Sequence, residues 1–248
     1  MNALMIGSYL WMTLTGCRLF GSIQDAVDLL ENPITMQGIY VGIDVPLGID
    51  TEGTNLAGGA QAQAWVQRTS TDGVDSATGS KVSLVSDRAG SVKLSEEEGY
   101  WFANGLDGLD YVEEDDVKLI VDIGGERSSI VMSTPLGAVV NIDENHSAGT
   151  GIRVDMMDQG FDNGGVVVAN LITGEEVWRS EYDVQEPVDP DNLLIDIDGT
   201  AFLPDQLYAV GVLGLSASTE DDLKELNKIG SGMLSGIMVI HVVSTLSD

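Results

Sequence analysis

Positive charge is scarce in this chain: 11 Lys+Arg face 40 Asp+Glu, for a formal net charge of −29. A surface of that sign repels polyanions, which excludes nucleic acid and extended contact with anionic head groups. Cysteine is scarcer still. Cys17 is the single one, so no disulfide closes within the chain and the fold must hold by packing alone. Histidine occurs only at His146 and His241. With no His-Glu-x-x-His and no cysteine pair, the common zinc frameworks are missing. Gly-x-Ser-x-Gly and Gly-x-x-x-x-Gly-Lys-Ser/Thr are also absent, which removes the usual serine-hydrolase and phosphate-loop readings. Beyond residue 16 no apolar run approaches the roughly 20 residues of a membrane-spanning helix. Six prolines against 30 glycines, with 43% apolar residues, suit a turn-rich β protein with real cores better than a helical bundle or a disordered chain.

What is present begins at the N-terminus. Residues 1–16 carry no Asp, Glu, Lys or Arg. They are too few to cross a bilayer, and they match the pattern of a secretory signal peptide apart from an n-region without Lys or Arg. The run ends in Leu14-Thr15-Gly16-Cys17, which resembles the lipobox of bacterial lipoproteins. The resemblance implies a diacylglycerol on the Cys17 thiol, cleavage before it, and a third acyl chain such as palmitate on the new amine. Arg18 rather than Asp follows the cysteine, compatible with sorting to the outer membrane of a Gram-negative envelope. Residues 17–33 read as a tether. Within it Ser22 can cap a short helix with Ile23, Val27 and Leu30 on one face, and Pro33 stops it.

The remainder reads as all-β, in two antiparallel, Ig-like β-sandwich domains. Over 34–142 short alternating segments are separated by Gly, Asp and Ser turns, among them Ala60-Gln-Ala-Gln-Ala-Trp-Val-Gln. The order Val82-Ser-Leu-Val, Gly90-Ser-Val-Lys-Leu, Glu98-Gly-Tyr-Trp, Val117-Lys-Leu-Ile-Val, Pro135 resembles transthyretin-like or carboxypeptidase-regulatory-like sandwiches. Residues 143–150, polar and small, are expected to be a linker. Over 151–248 strands resume, and Phe202-Leu-Pro204-Asp-Gln-Leu-Tyr208 resembles the tyrosine corner of fibronectin type III domains. That resemblance implies that the Tyr208 hydroxyl bonds back to nearby backbone after the turn at Pro204. One helix is expected at 219–229, with Thr219 as cap, an acidic first turn, Leu223, Leu226 and Ile229 along one face and Gly230 as stop.

Candidate chemistry is thin. Asp189, Asp191, Asp196 and Asp198 place hard oxygens at short spacing, fragments of a calcium loop without its complete spacing or closing Glu. The acids at 107–116 and Glu96-Glu97-Glu98 read as solvated loops, suited to solubility, to high salt or to weak cation binding. Forty acids would allow paired carboxylates for glycoside hydrolysis, but no spacing singles out a pair. Among the aromatics, alternation sends Trp101 to one face and Tyr100 and Phe102 to the other, a hint of a carbohydrate surface. Trp65 and Trp178 are expected in cores. The expected function is therefore that of a lipid-anchored cell-envelope protein with a non-catalytic binding or structural role and no cofactor beyond calcium. Its partners would be the membrane, through the anchor, and other envelope proteins or glycans. The rival readings are a secreted hydrolase using acidic residues and an accessory lipoprotein of an outer-membrane uptake system.

Overall fold

The computed structural model describes residues 33–46, 48, 59–70, 73–180, 190–228 and 230–247. Cys17, the expected signal peptide and tether up to residue 32, Asp189 and Ile229 lie outside these residues.

The described chain is all-β, with no helix longer than a 3-10 turn. Its strands are β1 (Ile34–Asp44), β2 (Gly59–Ser70), β3 (Gly73–Ser76), β4 (Lys81–Ser86), β5 (Gly90–Lys93), β6 (Ser95–Glu97) and β7 (Tyr100–Asn104). Next come β8 (Asp116–Ile123), β9 (Glu126–Ser133), β10 (Asn145–Ser147), β11 (Ile152–Asp155), β12 (Asn163–Asn170) and β13 (Glu176–Arg179). The last are β14 (Leu194–Ile197), β15 (Leu207–Ala217), β16 (Leu223–Lys224) and β17 (Gly232–Leu246).

A ten-stranded sheet runs β13-β12-β15-β17-β1-β2-β7-β6, with β3 added on β2 and β10 on β17. Strands from both sides of 143–150 thus share one sheet. The join is parallel: β1 pairs with β17 from Gln37↔Gly232 to Asp44↔Val239. β15 occupies the other side of β17, antiparallel, from Leu207↔Ser244 to Ala217↔Leu234. Where β1 ends, β10 takes its place on β17 at Ser244, Thr245 and Leu246. The polar 143–150 stretch therefore contributes a strand, held further by Ser244 N–H donating to the Glu144 carbonyl at 2.7 Å.

Period-two alternation sets which face each side chain takes. On β1, Ile34, Met36 and Tyr40 point inward, and on β2 a row of Ala60, Ala62, Ala64 and Val66 does the same. They meet a five-stranded sheet, β16-β9-β8-β4-β5, through Val82, Leu84, Val117, Leu119, Val121 and Ile130. Farther along the same face, Val166, Val168, Tyr208, Val210, Val212 and Val243 meet the β11–β14 ribbon through Ile152, Val154, Ile195 and Ile197. Met233 and Val243 have the same parity on β17, so both cores lie on one face of the large sheet. Val167, Ala209, Leu213, Leu215, Met238 and Ile240 gather on the other face.

The helix expected at 219–229 is not formed. Glu220–Asp222 makes one 3-10 turn, and Leu223–Lys224 leaves it as β16 to pair with Ile130 and Ser129 of β9. The cap signal is present locally, since the Thr219 N–H donates to the Asp222 carboxylate at 2.6 Å. A helix of about ten residues is marginal alone, and here tertiary pairing outweighs it. Leu223 and Leu226 pack into the first core, and Glu225 takes a φ of 55°, which ends helical geometry.

Glycine permits the tightest contacts. A Cβ on Gly38 would sit 2.5 Å from Leu119 Cδ2, and one on Gly236 would sit 2.2 Å from the Gly214 carbonyl oxygen. The first neighbour is a side chain that can yield, whereas the second is the backbone of a paired strand. Gly236→Ala is therefore expected to destabilise the fold by about 3 kcal/mol, at the upper end for overpacking. A thermal melt of the variant within a degree or two of the wild type would contradict this contact.

Candidate functional site

Of the acids proposed for calcium, Asp196 and Asp198 are engaged in other contacts. Asp196 lies on the outer side of the β11–β14 ribbon and accepts from Arg153 Nε at 2.7 Å and Nη2 at 2.9 Å. That guanidinium holds the Asp196 carboxyl below its ordinary value. Both side chains are exposed, so the pair adds little stability. Asp198 accepts from the Thr200 N–H at 2.7 Å and caps the 3-10 turn Gly199–Ala201. That backbone donor lowers its carboxyl in turn. Asp191 is exposed in the 3-10 turn Pro190–Leu193. Among the described residues no group of three or more His, Cys, Asp or Glu is placed to hold a metal ion.

The acidic stretch 107–116 is likewise tied into the fold. Asp107 accepts from the Asn104 N–H at 2.9 Å, and Glu113 from the Gly137 N–H at 2.8 Å. Asp116 accepts from the Ser133 hydroxyl at 2.6 Å. Asp115 is the centre of this region and is only 2% exposed. Its carboxylate accepts from the Ser86 hydroxyl and pairs with Arg88 Nε at 3.4 Å, while its own N–H donates to Thr134 Oγ1 at 2.9 Å. Burial pushes the Asp115 carboxyl upward. The Ser86 hydroxyl, the Arg88 donors and the guanidinium charge outweigh it and hold the group below the ordinary carboxylate range. Two buried phenols close the neighbouring space. The Tyr40 hydroxyl donates to the Asp110 carbonyl, that of Tyr111 donates to the Pro135 carbonyl at 3.2 Å, and the ring centroids lie 5.0 Å apart. Burial raises both phenols well above their ordinary range, so both stay neutral donors.

Neither histidine sits in a catalytic arrangement among the described residues. His146, on β10, contacts the Thr150 carbonyl through Nε2 at 2.7 Å and packs edge-on against Phe202. His241, on β17, is half-buried, and that burial lowers its pKa.

At the corner before β15, the Leu203 N–H donates to the Tyr208 hydroxyl at 2.8 Å, and Pro204 and Asp205 form the turn between them. Phe202 stands edge-on to the Tyr208 ring, with centroids 5.3 Å apart. Thr245 Oγ1 ties the end of β17 to the same corner through the Leu203 carbonyl at 2.5 Å.

The aromatic residues divide between the faces. Trp101 is 1% exposed in the first core, with Nε1 donating to the Ser80 carbonyl at 3.3 Å. Trp178 packs against the second core. Trp65, expected in a core, instead lies half-buried on the outer face of β2 and stacks on Tyr100, with centroids 6.1 Å apart and planes at 28°. The alanine row of β2 takes the inner face, so the intervening Gln61, Gln63, Trp65 and Gln67 point outward. That alternation was available in the sequence, yet the expectation for Trp65 followed residue type instead of phase.

No protein-family model matches this chain, and no curated protein shows significant similarity to it.

Two outcomes follow from these contacts. Tyr208→Phe removes the part-buried hydrogen bond from the Leu203 N–H while the ring still packs, and is expected to cost about 1–3 kcal/mol. Urea unfolding of the variant with an unchanged midpoint would contradict the corner bond. Asp115, depressed in the folded state, contributes stability above the ordinary carboxylate value of about 3.9, and loses it as pH falls through the lower folded value. Asp115→Asn is therefore expected to be less stable than wild type at neutral pH, by about 2 kcal/mol, with the gap narrowing below about pH 4. A gap constant from pH 7 to pH 3 would show that the carboxylate charge contributes nothing to the knot.

Proposed function

We propose that this chain is a lipid-anchored protein of the cell envelope with a non-catalytic binding or structural role. The observation that carries the reading is Leu14-Thr15-Gly16-Cys17 at the end of an uncharged 16-residue stretch, followed by an all-β body. A diacylglycerol plus a third acyl chain, at about 0.8 kcal/mol per buried CH₂, anchors a protein effectively permanently. Arg18 after the cysteine fits the outer membrane.

The halves 34–142 and 151–248 are read as a transthyretin-like and a fibronectin type III-like sandwich. Their support is that one hydrophobic core draws mainly on the first half, with Leu226 and Met233 added from the second, that another draws mainly on the second half, with Ala138 added from the first, and that Tyr208 bonds back across its corner. Both would be fused through the β1–β17 pairing. A non-catalytic role is favoured over a hydrolase by how the acids are used. Asp107, Glu113, Asp115, Asp116, Asp196 and Asp198 each accept a hydrogen bond from a backbone or side-chain donor within the fold.

The test is expression of the full chain in a Gram-negative host that processes lipoproteins. Mass spectrometry of the membrane fraction is expected to find an N-terminus at Cys17 bearing acyl chains. Cys17→Ala is expected to retain residues 1–16 uncleaved by the lipoprotein pathway. A soluble wild type with an unmodified Cys17 would overturn the anchor.

A further inference from the structure

The outer face of β1, β2 and β7 carries no charge, and through Val41 and Ile43 it adjoins the apolar cluster on the same face of β12, β15 and β17. Charged residues make up 21% of the chain, yet none points outward from these three adjacent strands. The alternation that buries Met36, Tyr40 and the β2 alanines turns Thr, Gln, Ile, Val, Trp, Tyr, Phe and Asn outward. The first charged side chain is Glu97 on the edge strand β6, which accepts from the Tyr100 hydroxyl at 3.1 Å.

The register interleaves rings with amides. Gln37 lies opposite Trp65, and Gln63 lies opposite Phe102, while Tyr100 stacks on Trp65. All of these side chains are half-buried, neither sealed in a core nor fully free. Side chains on neighbouring strands sit about 5 Å apart, so aromatic and amide groups form a lattice on β2 and β7, bordered on β1 by Ile39, Val41 and Ile43.

We propose that this face binds a neutral polysaccharide, an inference that rests on the non-catalytic binding role above and names its ligand. A pyranose ring presents an apolar C–H face, which packs on an aromatic ring, and rim hydroxyls. Each hydroxyl is donor and acceptor together, and glutamine is the side chain that offers both functions without charge. Uronates and sulfated glycans are disfavoured twice. No cation on the face pairs with them, and the net charge of −29 repels them. A face spread over adjacent strands suits an extended polymer that repeats weak contacts, not a single sugar held in a cleft.

The full chain, incubated with microcrystalline cellulose, chitin and insoluble β-1,3-glucan, is expected to be retained by at least one of them and not by polygalacturonate. Retention should be the same at low and high salt, because no ion pair forms. Phe102→Ala and the double variant Gln61→Ala with Gln63→Ala should each weaken binding of the matching hexasaccharide by about tenfold, a loss of about 1.4 kcal/mol. Trp65→Phe keeps an aromatic on the face and should lower affinity less than Phe102→Ala. Circular dichroism of each variant confirms that it is folded before its binding is read.

Absence of retention on all three neutral glycans overturns the proposal. Equal affinity in folded variants, or salt-sensitive binding, does the same. Sedimentation showing a dimer that Phe102→Ala dissociates, without glycan retention, would assign the face to self-association instead. The anchor reading fails separately: an unmodified Cys17 removes the lipid and leaves glycan retention untouched.

Discussion

The parallel pairing of β1 with β17 is the constraint on which the architecture depends. It brings Gln37 beside Gly232 and continues for eight residue pairs, joining positions almost two hundred residues apart in the chain. Without it the large sheet would divide into β1-β2-β7-β6 on one side and β13-β12-β15-β17 on the other. Each piece would then expose a long unpaired edge of backbone donors and acceptors. The pairing instead makes β17 a central strand with β15 on one side and β1, then β10, on the other. Folding of this molecule must therefore close a very long loop. A topology dominated by non-local contacts is slow to form for that reason, and β17 must be available before the β1 edge is satisfied.

Small residues let the two layers approach. The alanines of β2 give the inner face little height, and Gly38 and Gly42 leave room for Leu119 and Tyr111 to lie against the β1 backbone. Gly214 similarly admits the Phe161 ring over β15. Glycine within a strand weakens it, by entropy and lost side-chain contact. Here the close approach of Leu119, Tyr111 and Phe161 offsets that weakness through packing that a Cβ would prevent. The same shallow inner face explains why the bulky Trp101 reaches the core from β7 and Trp65 does not from β2. The core beside β2 is filled from the opposite sheet.

Much of the local structure is legible in the sequence. Alternation in 60–67 fixes β2 and its two faces, the turn residues mark most strand ends, and the spelling from Phe202 to Tyr208 corresponds to an observed bond across the corner. Three features depend on contacts that no window of sequence contains. The first is the β1–β17 pairing, since an apolar strand such as Gly236-Ile-Met-Val-Ile does not encode its neighbour. The second is residues 143–150, whose polarity describes a surface segment but not its docking on the end of β17. The third is residues 219–224, where a sound cap and apolar spacing were outweighed by pairing with the edge of β9 that β8 leaves open. For the candidate calcium residues the spacing of Asp196 and Asp198 was visible, but Arg153 lies 43 positions from Asp196 and reaches it only through the β11–β14 ribbon.

The distribution of charge links fold to function. Forty acids cannot all serve one purpose, and their placement separates several. Some, such as Asp107 and Asp198, satisfy backbone donors at turns. Asp115 is buried at the end of the smaller sheet, just before β8, where its Ser86 and Arg88 donors make burial tolerable. Among the described residues others, such as Glu96, Glu97, Glu98 and Glu126, lie exposed on strand edges and turns, where mutual repulsion favours solubility and discourages edge-to-edge association. The outer face of β1, β2 and β7 lies outside all three patterns. A sheet face of glutamines and aromatic rings is poorer for solubility than one of carboxylates, and the composition of this chain shows that acids were readily available for it. The same side of the sheet is also uncharged over β12, β15 and β17, but there it is an apolar cluster. Only over β1, β2 and β7 are rings set among amides, and that combination is the physical reason to look there for what the protein holds.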